Sequence, residues 1–242
     1  MKPGILTDSW TIAVKEWREW CCVRASFGWG ALATLIVVWS VAVPLLLGHL
    51  DAAPLLIPIT WATLPLILCG VMITDSIAGE RERQTLETLL ASRLSDRAIM
   101  LGKVAGVALL GWCLQLLGVL PGLLQQAISP SAAFADFRGL AAAGAITSVS
   151  APSVLLMVII GAFFALYAPS ARFALLLTTT FAASLILGGT GLAFWWYAQC
   201  GSCTEGIAGP LALFSIGLSL LDLTLLAGLL LSVQRARLLA IG

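Results

Sequence analysis

Few residues in this 242-residue chain are of types that carry out chemistry, and their spacing limits what that chemistry is. Asp222 stands alone among apolar residues, with Ser215 and Ser219 seven and three positions before it, so the three share one helical face. An ionised carboxylate in mid-membrane costs about 2.5–3.5 kcal/mol on insertion scales, so Asp222 must face protein or water. The stripe then reads either as a contact inside a helix bundle or as part of a translocation route. A proton relay would need another buried carboxylate or histidine, and none is placed to serve. Thr147, Ser148, Ser150 and Ser153 gather around Pro152 as a second polar patch, which either lines a path or bonds neighbouring helices. Cys200 and Cys203 form one CxxC with no second pair to complete a four-ligand zinc site. A short disulfide and two plain thiols are the two readings that remain.

Several kinds of enzyme lack their parts. The sole histidine, His49, falls in a short loop; there is no HExxH helix and no pair of intramembrane carboxylates to share acid and base roles. An intramembrane protease or lipid-modifying enzyme would therefore need a serine–lysine or cysteine mechanism. No GxxxxGK[ST] phosphate loop is present, because Leu101-Gly102-Lys103 runs on into Val104 without the upstream glycine spacing. A non-transporting membrane scaffold or assembly factor is the other class that such a chain can serve. The net charge is +1 and the basic residues are interleaved with Glu and Asp, which sets nucleic acid aside as a partner.

The elements that must position these residues are membrane helices. The chain is 60% hydrophobic and 10% charged, against roughly 25% charged in soluble domains, which makes it an integral membrane protein. Apolar runs at about residues 30–48, 53–73, 104–128, 144–167, 173–194 and 210–232 each approach the length of about 20 residues that a bilayer core requires. The expected fold is all-α and polytopic, a single transmembrane domain over residues 1–242 with six spans. The first span lies too deep in the chain, and lacks a small-residue cleavage site, to be a signal peptide, so it is expected to persist. Laid end to end, the spans put all but one of the 13 basic residues on one side. Lys2, Lys15, Arg18 and Arg24 precede span one, and Arg81, Arg83, Arg93, Arg97 and Lys103 join spans two and three. Arg172 joins spans four and five, Arg235 and Arg237 close the chain, and only Arg138 falls opposite. Positive residues mark the cytoplasmic side, so both termini are expected there.

Outside the spans, residues 7–25 are expected to form an interfacial helix, capped by Thr7 or Asp8. Trp10, Ala13, Val14, Trp17 and Cys21 fall on one face, with Lys15, Glu16, Arg18 and Glu19 around the rest, a pattern suited to lipid headgroups. Residues 195–209 form an outer loop next to Phe194, Trp195, Trp196 and Tyr197, which mark the membrane interface or gate a path. Pro44, Pro58, Pro65, Pro121 and Pro152 can bend or open the spans. No internal repeat or low-complexity linker appears.

Residues 74–103 are the one long charged stretch, between spans two and three. Its first part, residues 75–84, continues span two with alternating Glu80, Arg81, Glu82 and Arg83, and Arg83 reaches Glu87 at i, i+4. Thr85 can cap a short helix whose Leu86, Leu89 and Leu90 make one apolar edge. Ser95 can cap a further helix that leads from Asp96 through Lys103 into span three. Charge balance alone does not call for a leucine edge or for carboxylates, so the block reads as a docking surface for a soluble partner.

Here the chain resembles the type-2 ATP-binding-cassette (ABC) transporter permeases. Their first cytoplasmic loop reads approximately Glu-Arg-Glu, Gly-Thr-Leu-Glu, Leu-Leu, Pro-Val-Ser, Leu-Gly-Lys. This chain has Glu80-Arg81-Glu82, Thr85-Leu86-Glu87, Leu89-Leu90, Leu94-Ser95 and Leu101-Gly102-Lys103. Gln84 stands where glycine is common and Arg93 where proline is common, changes that bear on the turns and leave the charges and the apolar edge in place. The resemblance also covers the amphipathic helix, six spans with both termini inside, and the longer outer segment between spans five and six. It implies that residues 74–103 are a coupling loop, with Glu80, Arg81, Glu82, Arg83, Thr85, Leu86, Glu87, Leu89 and Leu90 meeting a separate ATPase subunit. It further implies two ATPase copies that bind ATP and Mg, a second permease subunit, identical or related, and export across a bacterial or archaeal cytoplasmic membrane. No cofactor is expected on this chain, and its remaining partner is membrane lipid.

Overall fold

The computed structural model describes residues 5–18, 38, 39, 42, 53–82, 95–128, 139–200 and 208–232, and all the regular structure among them is helical. The uninterrupted apolar runs form α2 (Ala53–Thr74), α3 (Asp96–Ile128), α4 (Gly139–Tyr167), α5 (Ala171–Cys200) and α6 (Ala208–Ser232), preceded by the amphipathic α1 (Ile5–Arg18). A π-helical turn, Asp75–Gly79, and a last α turn, Glu80–Glu82, prolong α2. Five of the described helices are long and apolar enough to cross a membrane. The expected span at residues 30–48 lies outside the described residues except for 38, 39 and 42, which are helical.

Local signals account for where the helices begin and end. Ser95 caps α3, its hydroxyl accepting from the Ala98 amide at 3.2 Å. Ser170 does the same for α5 through the Phe173 amide at 3.3 Å. Of the expected outer loop at 195–209, residues 195–200 are helical as the end of α5 and α6 begins at Ala208, and residues 201–207 lie outside the described residues. No glycine or proline interrupts 195–200, and Gly201 is the first breaker. Pro152 sits inside α4, where the Ser153 hydroxyl donates to Val149 O at 2.7 Å and Ser150 O at 3.0 Å.

In the bundle α2, α3 and α4 pack on one another, α5 lies against α2 and α4, α6 against α4, and α1 lies on α3. Cys69, Ile73, Val107, Val154, Met157 and Ile159 fill the centre. Close approach needs a missing side chain: a Cβ on Gly70 would stand 2.6 Å from Met157 Cε and 2.9 Å from Thr178 Cγ2. Small residues at helix crossings are how membrane bundles gain packing contacts without a hydrophobic drive between helices. On α6 the large side chains of Leu213, Leu220, Leu223 and Leu231 point outward, an apolar surface suited to lipid.

Candidate functional site: a buried charge cluster at the roots of the charged block

The two ends of the charged block meet at Lys103. α2 delivers Ser76 and Glu80 from its π-helical extension, α3 delivers Lys103 two turns after its cap, and α1 delivers Glu16. The Lys103 side chain is 0% exposed, and its ammonium donates to Glu16 Oε1 at 2.7 Å and to Ser76 O and Ser76 Oγ at 2.9 Å each. Glu80 Oε1 lies 2.9 Å from the same nitrogen. The Ser76 hydroxyl in turn donates to Glu16 Oε2 at 3.1 Å, so both Glu16 oxygens are occupied. Buried charges persist when they are paired and their remaining hydrogen-bonding positions are filled, and Lys103 and Glu16 meet that condition.

α1 reaches the cluster because α3 offers it a groove. A Cβ on Gly102 would fall 2.7 Å from Ser9 O and 2.8 Å from Ile12 Cβ, so only glycine admits α1 at this crossing. Gly106 continues the groove one turn on, beneath Ala13. The buried face of α1 is therefore Ser9, Ile12, Ala13 and Glu16, at i, i+3, i+4 and i+7. Trp10 and Trp17, expected to face lipid headgroups, are 62% and 42% exposed, while Ala13 packs on α3 and Glu16, expected on the polar side, turns inward because Lys103 and Ser76 are there to receive it.

The Glu-Arg-Glu run ties the same root to two further helices. The Arg81 guanidinium donates to Ala168 O at 2.6 Å, just past the end of α4. Glu82 Oε1 accepts from the Ala171 amide at 2.7 Å, at the start of α5, where a helix N-terminus favours an anion. Above them the Thr74 and Thr178 hydroxyls meet at 3.1 Å and join α2 to α5. Three consecutive residues thus fasten the exit of α2 to α3, to the end of α4 and to the head of α5.

Of the residues expected to dock a partner, Glu80, Arg81 and Glu82 have these intramolecular contacts, while Arg83, Thr85, Leu86, Glu87, Leu89 and Leu90 lie outside the described residues. The Ser215, Ser219 and Asp222 stripe is divided. Asp222 is buried, whereas Ser219 is exposed and donates to Ser215 O on its own helix at 2.9 Å. Ser150 is buried, and the side chain of Thr147 lies outside the described residues. Cys200 is the last residue of α5, and Cys203 lies outside the described residues. Among the described residues no three His, Cys, Asp or Glu side chains gather to hold a metal.

The sequence reading put Glu16 on the polar side of the interfacial helix and Lys103 in the basic side and the Leu101-Gly102-Lys103 run, and it did not single out Ser76 or join the three. One signal was available: Glu16 completes the Ser9, Ile12, Ala13 spacing, a carboxylate within a stripe of small and apolar residues. No protein-family model matches the chain, and no curated protein matches it.

Proposed function

We propose that this chain is the membrane-embedded permease subunit of a type-2 ABC transporter, working as an exporter with a separate ATPase. The observation that carries the reading is the Lys103 cluster, which joins both roots of the charged block to α1 at one buried point. Residues 83–94 link those roots along the chain; in this reading they are the apex that meets the ATPase, and Leu86, Leu89 and Leu90 give it its apolar contact. Glu80, Arg81 and Glu82 work from within, holding the apex to α3, α4 and α5. A push on the apex then reaches several helices at once.

Such a device moves the bundle only if the ATP-closed ATPase binds one permease conformation better than the other. ATP and Mg belong to that partner, present in two copies, and a second permease subunit completes the pathway. The outward Trp10 and Trp17 of α1 suit the headgroup layer of the cytoplasmic leaflet. The charged end of the bundle, with both termini, faces the cytoplasm in this arrangement.

The test is co-purification in mild detergent with an ATPase that carries a phosphate loop. Replacing Leu86→Asp together with Leu89→Asp is expected to abolish the association while the permease still inserts. Association that survives the double substitution overturns the docking role, and a wild-type chain that brings no ATPase overturns the transporter reading.

A further inference from the structure

Asp222 is a second buried acid, and nothing in the Lys103 cluster uses it. It lies near the middle of the candidate span Leu213–Ser232 and is 1% exposed. Neither of its carboxyl oxygens has a hydrogen-bond partner among the described residues. Burial without pairing is what an ionised carboxylate least tolerates.

Among the described residues, the helices packed around it supply no cation. α6 packs chiefly on α4, with a smaller contact to α3. α4 contains no Asp, Glu, Lys, Arg or His, and its one titratable group, Tyr167, is its last residue. The charged residues of α3 are Asp96, Arg97 and Lys103, all at its charged end, with Lys103 already held by Glu16 and Glu80. The Cys113 thiol of α3 is exposed, and Asp222 is the sole charged residue of α6.

We propose that Asp222 is a proton-binding site within the bundle, held as the neutral carboxylic acid while α6 lies on α4 and ionised only when the two helices part. A proton is the one cation that fits, because it needs neither a cavity nor further ligands. A metal ion takes several oxygen donors, and none of the described His, Cys, Asp and Glu side chains gather in threes. An organic ammonium needs volume beside the carboxyl, and a group 1% exposed between packed helices does not offer it. Proton binding then favours the packed arrangement, and loss of the proton favours the parted one. The inference goes beyond the transport reading and stands without it.

Membranes holding the full chain can be treated with dicyclohexylcarbodiimide, an apolar reagent, from about pH 6 to about pH 9, and the peptide with residue 222 weighed. The acid gives its proton to a carbodiimide nitrogen and its carboxylate adds to the central carbon. The O-acylisourea rearranges to an N-acylurea, a gain of one whole reagent molecule. Asp222 is expected to react through neutral pH, where exposed carboxyls, which titrate at about pH 4, have lost most of their reactivity. Asp222→Asn removes the adduct. No adduct at any pH, or one that follows the profile of an exposed carboxyl, overturns the proposal.

Melting in detergent supplies an independent arm. The wild type is expected to lose roughly 3 °C or more between about pH 4.5 and about pH 8 relative to Asp222→Asn. The amide mimics the neutral acid, so Asp222→Asn melts at or above the wild type at the lower pH. Parallel pH slopes, or an Asn variant that melts well below the wild type at the lower pH, overturn the proposal.

Discussion

Glu16 and Asp222 are both buried acids, yet they meet opposite surroundings. Glu16 has an ammonium on one oxygen and a hydroxyl on the other, drawn from two other helices. Among the described residues Asp222 has no partner on either oxygen. Burial is therefore a poor guide to the state of a carboxyl, and its neighbours decide. At the charged end the helices converge to complete an ionic network, and in mid-span they leave an acid that is tolerable only without its charge. The first arrangement fixes a geometry, and the second responds to protons.

The strongest way to break this comparison is to remove the ammonium. Lys103→Met leaves the buried Glu16 and the partly buried Glu80 without it, and the expected loss is about 3–5 kcal/mol of stability, read as the unfolding midpoint in detergent. Asp222→Asn, by contrast, removes no partner and is expected to cost nothing near neutral pH. If the two substitutions cost the same, pairing is not what separates the sites.

A smaller effect is expected from closing the groove on α3. Gly102→Val places methyls where Ser9 O and Ile12 stand, lifting α1 at a cost of about 1–3 kcal/mol. Its signature is local. A Cβ on Gly106 lies 3.6 Å from Ala13 Cβ, within the range a disulfide spans. The pair Ala13→Cys and Gly106→Cys should therefore cross-link on oxidation, and Gly102→Val should suppress that band on a gel. Unchanged cross-linking would mean that Gly102 does not set the approach of α1.

The smallest effect sharpens the account of the block's second root. Ser95→Ala removes the cap on α3 and should cost about 1 kcal/mol by the same unfolding measurement. Because Lys103 lies two turns further on and is held from three sides, the cross-link between residues 13 and 106 should persist. A loss of both would show that the cap, rather than the buried pair, orients the start of α3.

Much of the helical layout was legible beforehand. Long apolar runs set the five described candidate spans, and the cap at Ser95 placed the start of α3, since both signals act within a turn or two of chain. The exposed surface of α6 follows from a helix that is apolar on all sides. The interfacial helix was legible as a helix, but not the face it turns to α3, because Glu16 read as part of the polar side and the protein buries it instead. Aromatic bulk would not fit over Gly102 and Gly106, where the backbones nearly touch.

The sequence by itself determined that this is an apolar helical chain with one charged block, because hydropathy, caps and breakers are read within a few residues. Only the tertiary structure decided how that block's ends are held. Glu16 and Lys103 are 87 residues apart, as are Arg81 and Ala168, and Glu82 and Ala171 are 89 apart. Each pair depends on how two helices cross, which is set by where glycines let backbones approach and which side chains then fill the gap. The same reasoning separates the acids: sequence marked Asp222 as costly in a membrane, and the packing of α6 on α4 buries it without a partner among the described residues.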